Sequence, residues 1–185
     1  MRLWLLLVLA ASCLLAAGDP LFEEASRKMD LIQTGRAARG SVIEFSPAEV
    51  NAWARGKAAE NVGGVRAVQL ELGNGTIKGA ALVDLVLLQQ SRGEPVNPML
   101  ASLVAGERPV KVAVHLESAV AKCTVFLDNV QFSGAELSGS LLNFLIKAFF
   151  EPMFPDAMID RPFALREPIE RLTVLPDGLR VFMKK

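Results

Sequence analysis

The stretch Ser140-Leu-Leu-Asn-Phe-Leu-Ile-Lys-Ala-Phe-Phe-Glu151 constrains the fold more than any other part of this chain. At helical spacing Asn143, Lys147 and Glu151 fall at i, i+4 and i+8 and form one narrow polar stripe. A helix apolar over the rest of its circumference must be covered on several sides, by its own sheet, a partner, an apolar molecule or a membrane. Leu141, Leu142, Leu145, Ala148 and Phe149, opposite the stripe, supply an ordinary core seam. Phe144, Ile146 and Phe150 flank the stripe and exceed what such a seam needs, which points to apolar binding. Pro152 and Pro155 bracket Met153-Phe154 and would hold both side chains at a loop tip, as membrane contact or the rim of a ligand mouth requires. The candidate contact residues are therefore Phe144, Ile146, Phe150, Met153 and Phe154.

The first residues read as a secretory signal over 1–18. Arg2 provides a minimal positive region, Leu3 to Leu15 is apolar, and Ala16-Ala17-Gly18 offers small residues for cleavage before Asp19-Pro20. The apolar run is shorter than the ~18 residues of a spanning helix, so a retained anchor ranks last. Lipidation at Cys13 ranks second, because Ser12 precedes the cysteine and further apolar residues follow it. The expected localisation is exported, periplasmic or extracytoplasmic, with membrane association left open.

Charge and cysteine content narrow the function classes. The 20 basic and 20 acidic residues balance, which argues against a surface that holds nucleic-acid phosphates. Cleavage after Gly18 would leave Cys123 as the one cysteine, so stability must come from burial rather than from a disulfide. Ten Phe and no Tyr make the aromatic content apolar. The remaining 19–185 reads as a single domain of adequate length for its own core.

Local signals order the elements. Asp19-Pro20 is a helix cap with Pro at the first helical position, and the apolar spacing predicts a helix to about Gln33. Val42 to Phe45 reads as a strand, and Ser46-Pro-Ala-Glu49 as a capping box that opens a second helix. Val65–Leu72 and Ile77–Leu88 read as two strands of a hairpin over Asn74-Gly75. A short helix is expected over Pro95–Ala105. Pro109 to Glu117 alternates, with Val110, Val112, Val114 and Leu116 on one face and Lys111, Ala113, His115 and Glu117 on the other. Lys122–Phe132 reads as another strand, and Ile169–Leu175 with Leu179–Met183 as a closing hairpin over Pro176-Asp177-Gly178. Hairpin-linked strands with several helices predict an α+β domain whose curved antiparallel sheet packs around one long apolar helix.

The leader, Phe45-Ser-Pro-Ala-Glu-Val-Asn51 opening a helix, and the late strand, apolar helix, Pro and hairpin block together resemble small exported bacterial envelope proteins. Those are similar to tubular lipid-binding (TULIP-like) domains of the LmeA type. The resemblance implies a bent antiparallel sheet wrapped around a long helix, with an acyl-binding tunnel, and lipid as the ligand.

Reactive side chains give no constellation. His115 is the only histidine, so a metal site has no second ligand of its type, and it reads as a structural residue on a polar face. Cys123 reads as buried and Asp84 as a carboxylate that reaches solvent or an arginine. Asp156, Asp160 and Arg161 read as caps and turn formers. The expectation is a non-enzyme without cofactor or metal. It binds a lipid, acyl chain or membrane surface, or else is an envelope assembly protein whose apolar helix packs on a protein partner.

Overall fold

The computed structural model describes residues 18–61, 63–91, 93, 106–147 and 159–185. The expected leader, the helix expected over 95–105, and Phe150, Met153 and Phe154 lie outside these residues.

Capping chemistry starts the first two helices where the sequence places them. Asp19 Oδ1 accepts from the Leu21 N–H at 3.0 Å, and α1 runs Pro20–Gln33. In Ser46-Pro-Ala-Glu49 the Ser46 N–H donates to Glu49 Oε2 at 2.7 Å and the Glu49 N–H donates to Ser46 Oγ at 3.2 Å. This reciprocal pair satisfies two otherwise orphaned donors and opens α2, Pro47–Asn61. Strand β1, Val42–Phe45, precedes it.

Two antiparallel sheets follow. The smaller has the order β1-β9-β8, with β8 at Ile169–Leu175 and β9 at Gly178–Met183. Ala25 and Ile32 of α1 close over it and form a core with Phe45, Val181 and Met183. Gly178 at the β8–β9 turn has φ +153, and a Cβ there would collide with the Phe45 carbonyl, so only glycine fits.

The larger sheet orders β2 (Val65–Leu72), β3 (Thr76–Val83), β4 (Arg108–Ala119) and β5 (Lys122–Phe132). The outer edge of β5 is covered piecemeal by β6 (Ala135–Glu136) and β7 (Phe163–Ala164). Asn51 of α2 seals the opposite edge. Its amide donates to the Leu70 carbonyl at 2.8 Å and its oxygen accepts from the Leu70 N–H at 2.7 Å, as a neighbouring strand would. Strand β8 crosses the hairpin tips of this sheet. The Gly75 N–H donates to the Val174 carbonyl and the Ala121 N–H to the Glu170 carbonyl, at 2.9 and 2.8 Å.

The expected fold class is overturned. Strand accounts for 44% of the described residues against 29% helix, and no long apolar helix is shown among them. Helix α3 spans Leu85–Ser91 and α4 spans Gly139–Leu145, each of seven residues. Instead of being wrapped by the sheet in the tubular lipid-binding manner, α4 lies over one sheet face, where Leu142 and Ile146 help to line a groove. The physical reason is in the strands. Long alternating hairpins already gather a one-sided apolar face, and β6 and β7, of two residues each, are too short to carry the sheet around a tube.

A second correction concerns the strand expected over Ile77–Leu88. It stops at Val83, because Asp84 accepts from the Val86 and Leu87 N–H groups at 3.0 and 3.1 Å and caps α3.

Candidate functional site

Strand alternation decides what each face of the larger sheet offers. Residues directly opposite each other in an antiparallel pair project from the same face. Val114 and Leu116 of β4 face Leu127 and Val125 of β5, while Val110 and Val112 face Phe132 and Val130. Val125 and Leu127 hold odd positions and Val130 and Phe132 even ones, so a regular strand could not present all four together. A bulge reconciles them. Ala113 pairs with Asn129 and Val114 with Leu127, which leaves Asp128 as the extra residue.

The resulting apolar face forms the floor of a groove of about 280 Å³. Val65 and Val83 extend the floor, Leu85 and Leu88 of α3 form one wall, and Leu137, Leu142, Ile146 and Ile159 complete the lining. Among the described residues every one that lines it is Val, Leu, Ile or Phe. Close backbone approach holds α3 in place. The Asp84 N–H donates to the Gly64 carbonyl at 2.7 Å. Gly64 has φ +87, and a Cβ there would stand 2.6 Å from the Asp84 carbonyl oxygen.

The described lining offers no group to polarise a bond, move a proton or hold a metal. It can accept hydrocarbon. Its volume lies at the lower edge of the ~300–1,000 Å³ typical of ligand pockets, which suits one chain better than a bulky ligand. The other face of the sheet is polar, with Glu71, Lys78, Lys111, Asn129 and Gln131 around a shallow depression.

Of the expected contact residues, the structure places Ile146 in the groove lining. Phe144 falls within α4, its side chain lies outside the described residues, and Phe150, Met153 and Phe154 do so entirely. Sequence reasoning missed the floor. The alternation of Val110 to Leu116 was visible, but the break in period at Asp128 hid its continuation on β5.

The reactive residues are dispersed. His115 lies on the polar face, where Nδ1 meets Asp128 Oδ1 at 2.6 Å and Phe126 stacks on the ring. Cys123 pairs with Ser118, on the groove side of the sheet, so thiol and imidazole project from opposite faces. Cys123 is buried, which pushes its thiol pKa up and its reactivity down. Among the described residues no cluster of three His, Cys, Asp or Glu is placed to hold a metal ion, and no helix is long and apolar enough to cross a membrane. No known protein family matches the chain, and neither does any curated protein or solved structure.

Proposed function

We propose that the protein is a non-catalytic binding domain whose groove takes an apolar ligand, a lipid or its acyl chain, and that it works after export, in the cell envelope. The groove carries this reading: a concave site whose described lining is aliphatic and Phe side chains fits hydrocarbon. The ligand class also agrees with what the resemblance to lipid-binding domains implies. The residue pattern of 1–18 supports export. The separation of Cys123 and His115 onto opposite faces speaks against a nucleophile–base pair.

Native mass spectrometry of the protein after gentle extraction tests the reading, together with titration by a neutral polarity-sensitive dye. A co-purifying lipid, and dye fluorescence that lipid displaces, are the expected results. A stable complex with an envelope protein and no dye binding would favour an assembly role instead.

A further inference from the structure

One cation stands on the groove's own face. Val83 of β3 pairs with Arg108 of β4, and paired residues share a face, so Arg108 projects on the side lined by Val83 and Val110. The other residues on this face of β2 to β5 are apolar or glycine, apart from Ser118 near the far end of β4. Ser118 is occupied, because its hydroxyl accepts from the Leu172 N–H at 3.0 Å and donates to the Lys122 carbonyl at 3.1 Å. Arg108 is exposed at the first position of its strand. The adjacent carboxylate, Glu107, is taken by Arg66 at 3.2 Å, and among the described residues no carboxylate pairs with Arg108.

We propose that Arg108 receives the anionic head of a single-chain amphiphile, a long-chain fatty acid carboxylate, whose tail lies in the groove. This rests on the apolar-ligand reading above and adds the head group and the polarity of binding to it. The groove volume selects one chain. The guanidinium selects an anion, because its planar fork matches a carboxylate with two parallel hydrogen bonds and keeps its charge at any ordinary pH. The geometry places charge at the rim, where water still reaches it, and hydrocarbon inside. Neither partner then bears the cost of burying an ion.

The test is displacement of a neutral fluorescent dye from the purified protein by oleate and, in parallel, by oleyl alcohol at neutral pH. Oleate is expected to bind about tenfold more tightly than the alcohol, as a charge-assisted contact allows. Arg108→Gln should erase that preference by weakening oleate alone, and Arg108→Lys should keep part of it. Lys111→Gln, on the opposite face of the same strand, should change neither ligand. Added salt should shrink the preference in the parent protein, which decides the matter even if the glutamine variant folds poorly. Equal binding of oleate and alcohol, or an undiminished preference in Arg108→Gln, overturns the role of Arg108 and leaves the apolar-ligand reading standing. Failure of dye, oleate and alcohol alike to bind overturns both.

Discussion

His115 and Asp128 meet across β4 and β5 with Nδ1 and Oδ1 2.6 Å apart, beside the bulge that Asp128 itself forms. Phe126 stacks on the same imidazole, with centroids 4.5 Å apart and planes 12° from parallel. The side chains of the pair are 40% and 42% exposed, so water screens their attraction. An exposed pair of this kind contributes ~0.2–1 kcal/mol and a ring contact ~0.5–1.5 kcal/mol. His115→Ala should therefore cost about 1–2 kcal/mol in urea melts. Dye binding should be unchanged, because the imidazole is on the far face from the groove. A fold-competent His115→Ala that no longer bound the dye would place the polar face in the site and contradict the assignment.

Glu49 ties α1, β1 and α2 together and should set the acid limit of the fold. Burial pushes its carboxyl pKa up. The hydrogen bonds from Lys28 and from the Ser46 backbone and hydroxyl, with the Lys28 charge, outweigh burial and leave it below the ordinary value. Lys28 Nζ lies 2.5 Å from Glu49 Oε1 and also donates to the Glu44 carbonyl at 2.9 Å. A folded-state pKa below the unfolded one contributes stability above the unfolded value, about 4.3, and loses it as pH falls through the folded one. Glu49→Gln should lower the urea midpoint at about pH 6, and the gap to the parent should narrow as pH falls below the unfolded value. A gap of constant size from pH 6 to pH 3 would show that the loss is one of packing and not of charge.

Much of the order of elements was legible because its signals are local. The Asp19-Pro20 start, the Ser46–Glu49 box, the Asn74-Gly75 hairpin and the alternation from Val110 to Leu116 all depend on residues close in sequence. Three features depended on something else. Asp84 interrupts an apolar run that reads equally well as strand, and the close approach of Gly64 accompanies the turn into helix. The bulge at Asp128 inverts the parity of β5, so Val125 and Leu127 look out of phase with Val130 and Phe132 until their partners on β4 are known. The apolar stretch after Ser140 showed that several sides needed cover, but periodicity carries no information on what provides it. The floor of the groove is built from strands distant in sequence, and among the described residues Ile146 links it to the residues expected to make contact.

The turn between β4 and β5 offers a gain in stability. Ala119 pairs with Lys122, so Val120-Ala121 is a two-residue loop, with φ +50 and +56. Positive φ at both centres is the type I′ pattern that favours Asn-Gly, and a β-branched residue fits it poorly. Val120 is 85% exposed and thus has little packing to lose. The double change Val120→Asn and Ala121→Gly should stabilise the fold by about 1 kcal/mol, near the cost of a left-handed L-residue. The backbone hydrogen bonds of Ala121 to Glu170 and Leu165 need no side chain and should persist. In thermal melts Tm should rise by about 2–4 °C for a chain of this size. A lower Tm would mean that the Val120 side chain makes contacts worth more than the strain it introduces.

Filling the groove separates a ligand site from a loosely packed core. Val112 lies mid-strand on the groove floor, opposite Val130, and is half-buried. Phe in its place would occupy part of the roughly 280 Å³ that a chain would otherwise use. Filling apolar space commonly stabilises by about 0.5–2 kcal/mol, and Phe is a good strand residue, so Val112→Phe should melt no lower than the parent. Ligand binding should respond in the opposite direction, with dye and oleate weakened at least about tenfold, or ~1.4 kcal/mol. Truncation in the other core gives the contrast. Val181→Ala, fully enclosed between α1 and the smaller sheet, should destabilise by about 1–3 kcal/mol while the surviving folded protein binds as before. Full binding by a folded Val112→Phe protein would show that the ligand sits elsewhere. A steep loss of stability in that variant would show that the space is already filled by the chain itself.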